Sequence, residues 1–115
     1  MTMNTMELDG YTAVIRYNPD TDTFRGEIQG LNGGADFYGQ SADDLRREFR
    51  ASLDFFLETC AKHGIEPRKT ASGKFIVRLS PDLHAQAATA ATADGISLNA
   101  LVERAIRNEL HGGHP

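Results

Sequence analysis

The 115-residue sequence is poor in the residues that define several protein classes. It has one cysteine, Cys60, so an internal disulfide framework is excluded, and this usage suits a reducing compartment such as the cytoplasm. No stretch approaches the roughly 20 apolar residues that cross a bilayer. The first ten residues also lack the basic start and apolar run of a signal peptide. We therefore expect a cytoplasmic protein with no membrane partner.

Basic residues are also scarce, with 12 Lys and Arg against 16 Asp and Glu, for a net charge of -4. Residues 1–64 carry six Lys and Arg and eleven Asp and Glu, a net charge of -5, whereas residues 65–115 carry six and five, a net charge of +1. This difference predicts two modules with different partners. Modules of about 50 to 60 residues bury only modest cores, so we expect them to oligomerise.

The front half has the pattern of a small sheet followed by one helix. The runs at 11–17, 24–30 and 35–39 are rich in aromatic and β-branched residues and predict a three-stranded meander. Ser41 is a candidate N-cap and Gly64 a candidate C-cap of a long helix. Apolar residues between the two caps recur at helical spacing, namely Leu45, Phe49, Leu53, Phe56, Leu57 and Cys60. We expect this helix to cover the meander.

The back half begins with a strand and continues as two helices. After a linker at 65–72, the stretch "GKFIVRL" at 73–79 alternates between two kinds of residue. One face carries Phe75, Val77 and Leu79, and the other carries Lys74, Ile76 and Arg78. Ser80 and Pro81 then predict the start of one helix, Gly95 its end, and Ser97 the start of the next. The module is therefore predicted as strand, helix, helix.

The predicted strand has no mate in its own module, and a second copy of the chain supplies one. Antiparallel pairing about a two-fold axis satisfies the backbone groups of both strands. It also covers a shared apolar core, which we expect to contain Phe75, Val77, Leu79, Leu98, Leu101 and Val102. The module is therefore expected to form a homodimer.

The outward face of such a two-stranded ribbon fits the major groove of DNA. Lys74 and Arg78 suit guanine O6 and N7, and Ile76 between them can contact a thymine methyl group. The start of the last helix, at Ser97 and Asn99, offers free N–H groups and side-chain donors to a DNA phosphate. These five residues are the predicted DNA-binding set.

Two stretches of the back half, "GKFIVRLSPDLHAQ" and "DGISLNALVERAI", resemble a ribbon-helix-helix DNA-binding module. In the front half, "GYTAVIRYNPDTDTFRGEIQGL", "FYGQSADDL" and "FLETC" resemble the HicB antitoxins. The combined resemblance spans roughly residues 8–110. It implies an α+β chain in which a β-β-β-α, partial RNase-H-like domain precedes the ribbon-helix-helix module.

The resemblance also implies a function. The N-terminal domain of such a type II antitoxin binds and blocks a small, basic, RNA-cleaving HicA toxin, and the C-terminal module represses the operon's own promoter by binding operator DNA. The resemblance leaves open whether dimers pair into tetramers. One position departs from the pattern, because Ile76 stands where ribbon-helix-helix proteins commonly carry a polar residue.

The patterns predict a domain at 1–64, which the resemblance implies is toxin-binding, the linker at 65–72, a DNA-binding and dimerisation domain at 73–110, and a tail at 111–115. An alternative is a stand-alone transcription regulator whose front domain senses a ligand or another protein. A metal-dependent nuclease is the other alternative, and its candidate carboxylates are Asp20, Asp22 and Asp36. The first two lie in a predicted turn, where Asp is favoured for local backbone bonding. We therefore expect no enzyme activity, cofactor or metal.

Two other spacings bring possible metal ligands together without completing a site. Cys60 and His63 lie three residues apart, and His111 and His114 lie in the tail. Two ligands do not make a structural zinc site. We interpret the first pair as a buried cysteine beside a helix-terminal histidine, and the second as part of a frayed terminus.

Overall fold

A computed structural model describes residues 4–112, so the first three residues and the end of the predicted tail, with His114, lie outside the described residues. The chain divides into two compact units with a boundary between Ser72 and Gly73. In the described range, no helix is both long enough and apolar enough to span a bilayer.

The front unit is a four-stranded antiparallel sheet followed by one helix. The strands, in chain order and in sheet order, are β1 (Thr5–Leu8), β2 (Tyr11–Asn18), β3 (Thr23–Ile28) and β4 (Asp36–Gly39). The helix α1 spans Ala42–His63. The predicted α+β class is confirmed, but the front half is β-β-β-β-α, and the prediction of three strands was wrong by one.

The missed strand β1 forms a tight hairpin with β2, in which Leu8 lies opposite Tyr11. The two turn residues, Asp9 and Gly10, have φ values of 52° and 82°. Positive φ at both positions matches a type I′ turn, whose twist suits a hairpin and for which Asp-Gly is a preferred pair. The dipeptide was therefore a usable sequence signal, but the preceding four residues are too few to show a clear alternation.

The core of the front unit lies between one face of the sheet and α1. Phe37 of β4 stacks on Phe49 of α1 with ring centroids 4.8 Å apart, and Leu53 is fully buried beside them. Gly26 of β3 makes room for the first ring, because a Cβ atom there would lie 2.1 Å from the nearest Phe37 carbon. The predicted apolar face of α1 is confirmed, since its residues are buried or partly buried against the sheet.

The predicted ends of α1 are confirmed. The Ser41 hydroxyl accepts a hydrogen bond from the Asp44 N–H at 3.1 Å, and the Asp44 carboxylate accepts one from the Gln40 N–H at 3.3 Å. This is a capping box displaced by one residue, since the carboxylate usually reaches the N-cap N–H itself. Gly64 ends the helix in the left-handed conformation, with φ at 63°.

Residues 66–69 extend the front unit beyond α1. The Lys69 N–H donates to the Gly30 carbonyl at 2.9 Å, and the Asn32 N–H donates to the Pro67 carbonyl at 2.8 Å. The Arg68 guanidinium lies over the Tyr11 ring, 3.9 Å from its centroid. The first part of the predicted linker therefore lies against the sheet.

The second unit contains two helices, α2 (Pro81–Asp94) and α3 (Leu98–Leu110). Ser80 caps α2 and Ser97 caps α3, in each case by accepting a backbone N–H three residues on, and Gly95 ends α2 with φ at 70°. These predicted boundaries are confirmed. The preceding segment, 73–80, is not a strand in the single chain, since a strand needs a ladder partner and its own unit supplies only helices.

Candidate functional site

The segment before α2 exposes apolar side chains that a folded chain normally covers. Phe75 is 70% exposed, Val77 49% and Leu79 41%. Ile76, which the alternation places on the other face, is 93% exposed. The face predicted to enter a core is thus more covered than Ile76, but it is far from buried. A single chain does not complete this core.

The two helices of the second unit also lack a finished core. Ala91 is their one buried apolar residue among those described. The predicted core residues of α3, namely Leu98, Leu101 and Val102, are each partly covered. Leu83 of α2 and Ile106 of α3 are 50% and 41% exposed. The unit therefore presents one apolar segment and two partly covered helices.

Each residue of the predicted DNA-binding set is exposed in the single chain. Lys74, Ile76 and Arg78 occupy alternate positions of the extended segment. The Ser97 hydroxyl accepts from the Ala100 N–H at 3.0 Å, so its first role is to cap α3. Asn99 lies in the first turn of the same helix. The helix start therefore combines a satisfied cap with an exposed amide side chain.

An ion pair holds the corner between α2 and α3. The Arg104 guanidinium of α3 lies 2.9 Å from the carboxylate of Asp94, the last residue of α2. The Ile96 N–H donates to the Ala91 carbonyl at 3.0 Å, which closes the turn around Gly95. This corner sets the direction in which α3 begins, and with it the position of the exposed Asn99.

Two of the three carboxylates considered for a nuclease site, Asp22 and Asp36, have partners in the front unit. The Asp22 side chain accepts a hydrogen bond from the Tyr17 hydroxyl at 2.7 Å, and Asp20 lies in the same β2–β3 turn. Asp36 of β4 pairs with Arg25 of β3 at 2.5 Å. Across residues 4–112, no three His, Cys, Asp or Glu side chains are grouped so that they could hold a metal ion.

Ion pairs tie the outside of α1 to its surroundings. The Arg50 guanidinium lies 2.7 Å from the Asp9 carboxylate in the β1–β2 turn, and this hydrogen bond lowers the pKa of Asp9 below its usual value. At the start of the helix, the hydrogen bond from the Gln40 N–H, together with the nearby Arg47, lowers the pKa of Asp44. These groups account for much of the charged surface of α1.

Two exposed aromatic residues of the front unit were not singled out from the sequence. Tyr38 of β4 is 58% exposed and Phe55 of α1 is 71% exposed. A signal was present for Phe55, since it lies off the helical repeat that contains Leu53 and Phe56. Phe55 therefore lies on the solvent side of α1, outside the core of the front unit.

The model of the HicB family matches residues 56–106, which span the end of α1, the connecting segment and most of the α2–α3 unit. Searches of curated proteins and of solved structures found no significant match to the chain. The matched residues include the exposed segment and both helix caps of the second unit. Over these residues the chain is similar to the HicB family, and this similarity supports, at the coarsest level, an antitoxin role in a toxin–antitoxin system.

Proposed function

We propose that the chain is a type II antitoxin that blocks a small, basic, RNA-cleaving toxin of the HicA type and represses its own operon. In this proposal the front unit is the toxin-binding domain and has the partial RNase-H-like fold of that family. The second unit is a ribbon-helix-helix module that dimerises and binds operator DNA. The role is one of binding and needs no catalytic group, metal or cofactor.

One observation carries the DNA-binding half of the proposal. The segment 73–79 exposes three alternate apolar side chains, and the two helices that follow leave their own apolar faces partly covered. A second copy corrects both defects at once, since antiparallel pairing of the two segments completes a backbone ladder and brings four helices over the apolar face. Few other partners would both pair with the backbone of this segment and cover its apolar side chains.

The pairing gives the opposite face of the segment its role. Lys74, Ile76 and Arg78 then occur twice in a two-stranded ribbon whose width suits the major groove. The second unit as a whole has no net charge, with four Lys and Arg and four Asp and Glu in residues 73–115. Affinity for DNA must therefore come from where the cations lie, and half of them lie on the ribbon. Ser97 and Asn99 add phosphate contacts at the start of α3.

The toxin-binding half of the proposal is supported by charge. The front unit, residues 1–72, carries the whole net charge of -4, and an acidic surface attracts a basic protein and speeds its association. Charge alone does not identify the partner. The family match supports a toxin as the partner, and the resemblance to the HicB antitoxins implies that it is small, basic and RNA-cleaving.

The DNA-binding half is tested by gel retardation of the promoter fragment of the chain's own operon. We expect Lys74→Ala or Arg78→Ala to weaken binding at least ~10-fold, because each change removes two contacts per dimer. Arg107→Ala is the matched control, since Arg107 is exposed and pairs with Glu103 within α3. If the ribbon variants, Lys74→Ala and Arg78→Ala, both retarded the promoter fragment as strongly as the unmodified protein does, the assignment of these residues to DNA binding would be contradicted.

The toxin-binding half is tested with the purified product of an adjoining reading frame of small size and basic charge. We expect the ribbon variants to bind this protein as tightly as the unmodified chain does. A fragment of the front unit should also bind it without binding DNA. This fragment should end at Ser72, because residues 66–69 hydrogen-bond to Gly30 and Asn32 in the connection between β3 and β4. If promoter binding were retained but no basic partner were bound, the chain would instead act as a stand-alone regulator.

A further inference from the structure

The front unit has a shallow depression at the end of β4, with a volume of about 290 Å³. Its walls come from Thr23, Tyr38, Gly39 and Gln40 on one side and from Asp44, Arg47 and Glu48 of α1 on the other. Gly39 permits this arrangement, because a Cβ atom there would lie 2.9 Å from the Asp44 Cβ and 3.0 Å from the Leu45 nitrogen. The first turn of α1 therefore packs directly on the strand.

The charges in the depression leave one carboxylate available. The Arg47 guanidinium lies 2.5 Å from the Asp44 carboxylate, so these two charges neutralise each other. Glu48 forms no ion pair with any residue in the range 4–112. The lining thus has a net charge of -1 next to the exposed ring of Tyr38. A carboxylate beside an aromatic ring suits a guanidinium or ammonium group.

The same side of α1 continues as an apolar surface. Ser52 lies one turn beyond Glu48, and its hydroxyl donates to the Asp36 carbonyl of β4 at 3.2 Å, so this side of the helix runs along β4. Phe55 follows seven residues after Glu48, about 10 Å along the helix axis, and is 71% exposed. We name Tyr38, Glu48 and Phe55 the β4–α1 surface.

The opposite side of α1 is less suited to a basic partner. Arg46 and Arg50 lie there, and the neighbouring carboxylates are already engaged with them. Asp43 pairs with Arg46 at 2.7 Å, and Asp9 and Asp54 both pair with Arg50. A cationic protein approaching that side would meet two guanidinium groups and would have to compete for each carboxylate.

We propose that the β4–α1 surface is where the basic toxin docks, with an arginine or lysine side chain of the toxin in the depression between Tyr38 and Glu48. This inference rests on the proposed antitoxin function and names the part of the front unit that performs it. The incoming cation neutralises the charge of the lining, and Phe55 supplies the apolar anchor next to it. A charge pair flanked by aromatic side chains is a common composition for an energetic centre of a protein interface.

The test measures the affinity of full-length variants for the purified product of the adjoining basic reading frame. We expect Glu48→Lys to weaken binding at least ~100-fold and Phe55→Ala ~10-fold, as for central interface residues. Glu7→Lys is the matched control, since it makes the same change of charge on β1, at the other edge of the sheet. It should change affinity less than ~3-fold, as for a charge outside the contact. Urea denaturation followed by circular dichroism, with a front-unit transition like that of the unmodified chain, shows that each variant is folded.

A second arm tests the pairing itself. Lys and Arg residues of the toxin are replaced by Glu one at a time, and one replacement should restore binding to the Glu48→Lys variant. Equal losses for Glu48→Lys and Glu7→Lys would overturn the assignment and leave the antitoxin function standing. A change in the oligomeric state of the toxin-free Glu48→Lys variant would assign the surface to a second copy instead. An unmodified chain that binds no basic partner would overturn both proposals.

Discussion

The two units of this chain differ in how much of their folding each completes alone. Of the ten buried apolar residues in the described part of the chain, nine lie in the front unit and one, Ala91, in the second. The front unit closes a core between sheet and helix, whereas the second has good helix caps around an unfinished apolar surface. Local signals therefore define elements in both units, but we expect only the front unit to bury enough apolar area to be stable as one copy.

Because of this difference, we expect the stability of the two units to respond differently to protein concentration. A unit with its own core unfolds at the same temperature in dilute and concentrated solution, whereas a unit completed by a second copy becomes more stable as the protomer concentration rises. We therefore expect the chain to join a self-sufficient domain to one that folds with dimerisation. The predictions below test this comparison, beginning with the largest effect.

The largest effect is expected from Val77→Asp. Val77 lies on the face of the segment that is predicted to enter the dimer core, so the change would place two carboxylates there, at a cost of several kcal/mol each. We expect sedimentation to report a monomer and circular dichroism to report loss of the α2 and α3 signal. Ile76→Asp is the control, because Ile76 faces outward and its variant should remain a dimer. A dimeric Val77→Asp variant would show that the segment is not the dimer interface.

A second prediction concerns the front unit alone and uses two phenylalanines of one helix. Phe49 is 1% exposed and stacks on Phe37, so Phe49→Ala should lower the free energy of unfolding of the front unit by ~3–5 kcal/mol. Phe55 is 71% exposed, and Phe55→Ala should change the free energy of unfolding of the front unit by less than ~0.5 kcal/mol. Urea denaturation followed by circular dichroism measures both. Similar losses for the two variants would contradict the assignment of the core.

The parts of the fold that the sequence predicted well are those set by neighbouring residues. Ser41, Ser80 and Ser97 each cap a helix as expected, and Gly64 and Gly95 end one, because caps depend on residues within one turn. The strand β1 was missed because four residues give too little alternation, although the Asp-Gly turn after it was a usable signal. Short strands depend on their neighbours in the sheet more than on their own sequence.

The two candidate sites also differ in how far the sequence could predict them. The alternation of 73–79 placed Lys74 and Arg78 on one face from sequence alone, and their contacts with DNA stay a prediction. The β4–α1 surface was not predictable, since Tyr38 and Glu48 are ten residues apart in the chain and meet only because Gly39 lets α1 approach β4. Residues that are brought together only by tertiary contacts do not recur at helix or strand spacing in the sequence.

The smallest expected effect tests where the front unit ends. Arg68 lies over the Tyr11 ring and donates to the Gly10 carbonyl at 3.3 Å, so it anchors the segment after α1 to the β1–β2 hairpin. Arg68→Ala should lower the free energy of unfolding of the front unit by ~1 kcal/mol, as for a partly exposed cation–π contact with one hydrogen bond. It should also speed proteolysis between residues 66 and 72.

Lys69→Ala is the matched control for Arg68→Ala, because the hydrogen bond of Lys69 to Gly30 comes from its backbone and survives the change. Equal stability of the two variants would show that the ring contact adds nothing to the stability of the front unit. A difference of the expected size would place the boundary after residue 69. Only the few residues from there to Gly73 would then connect the two units.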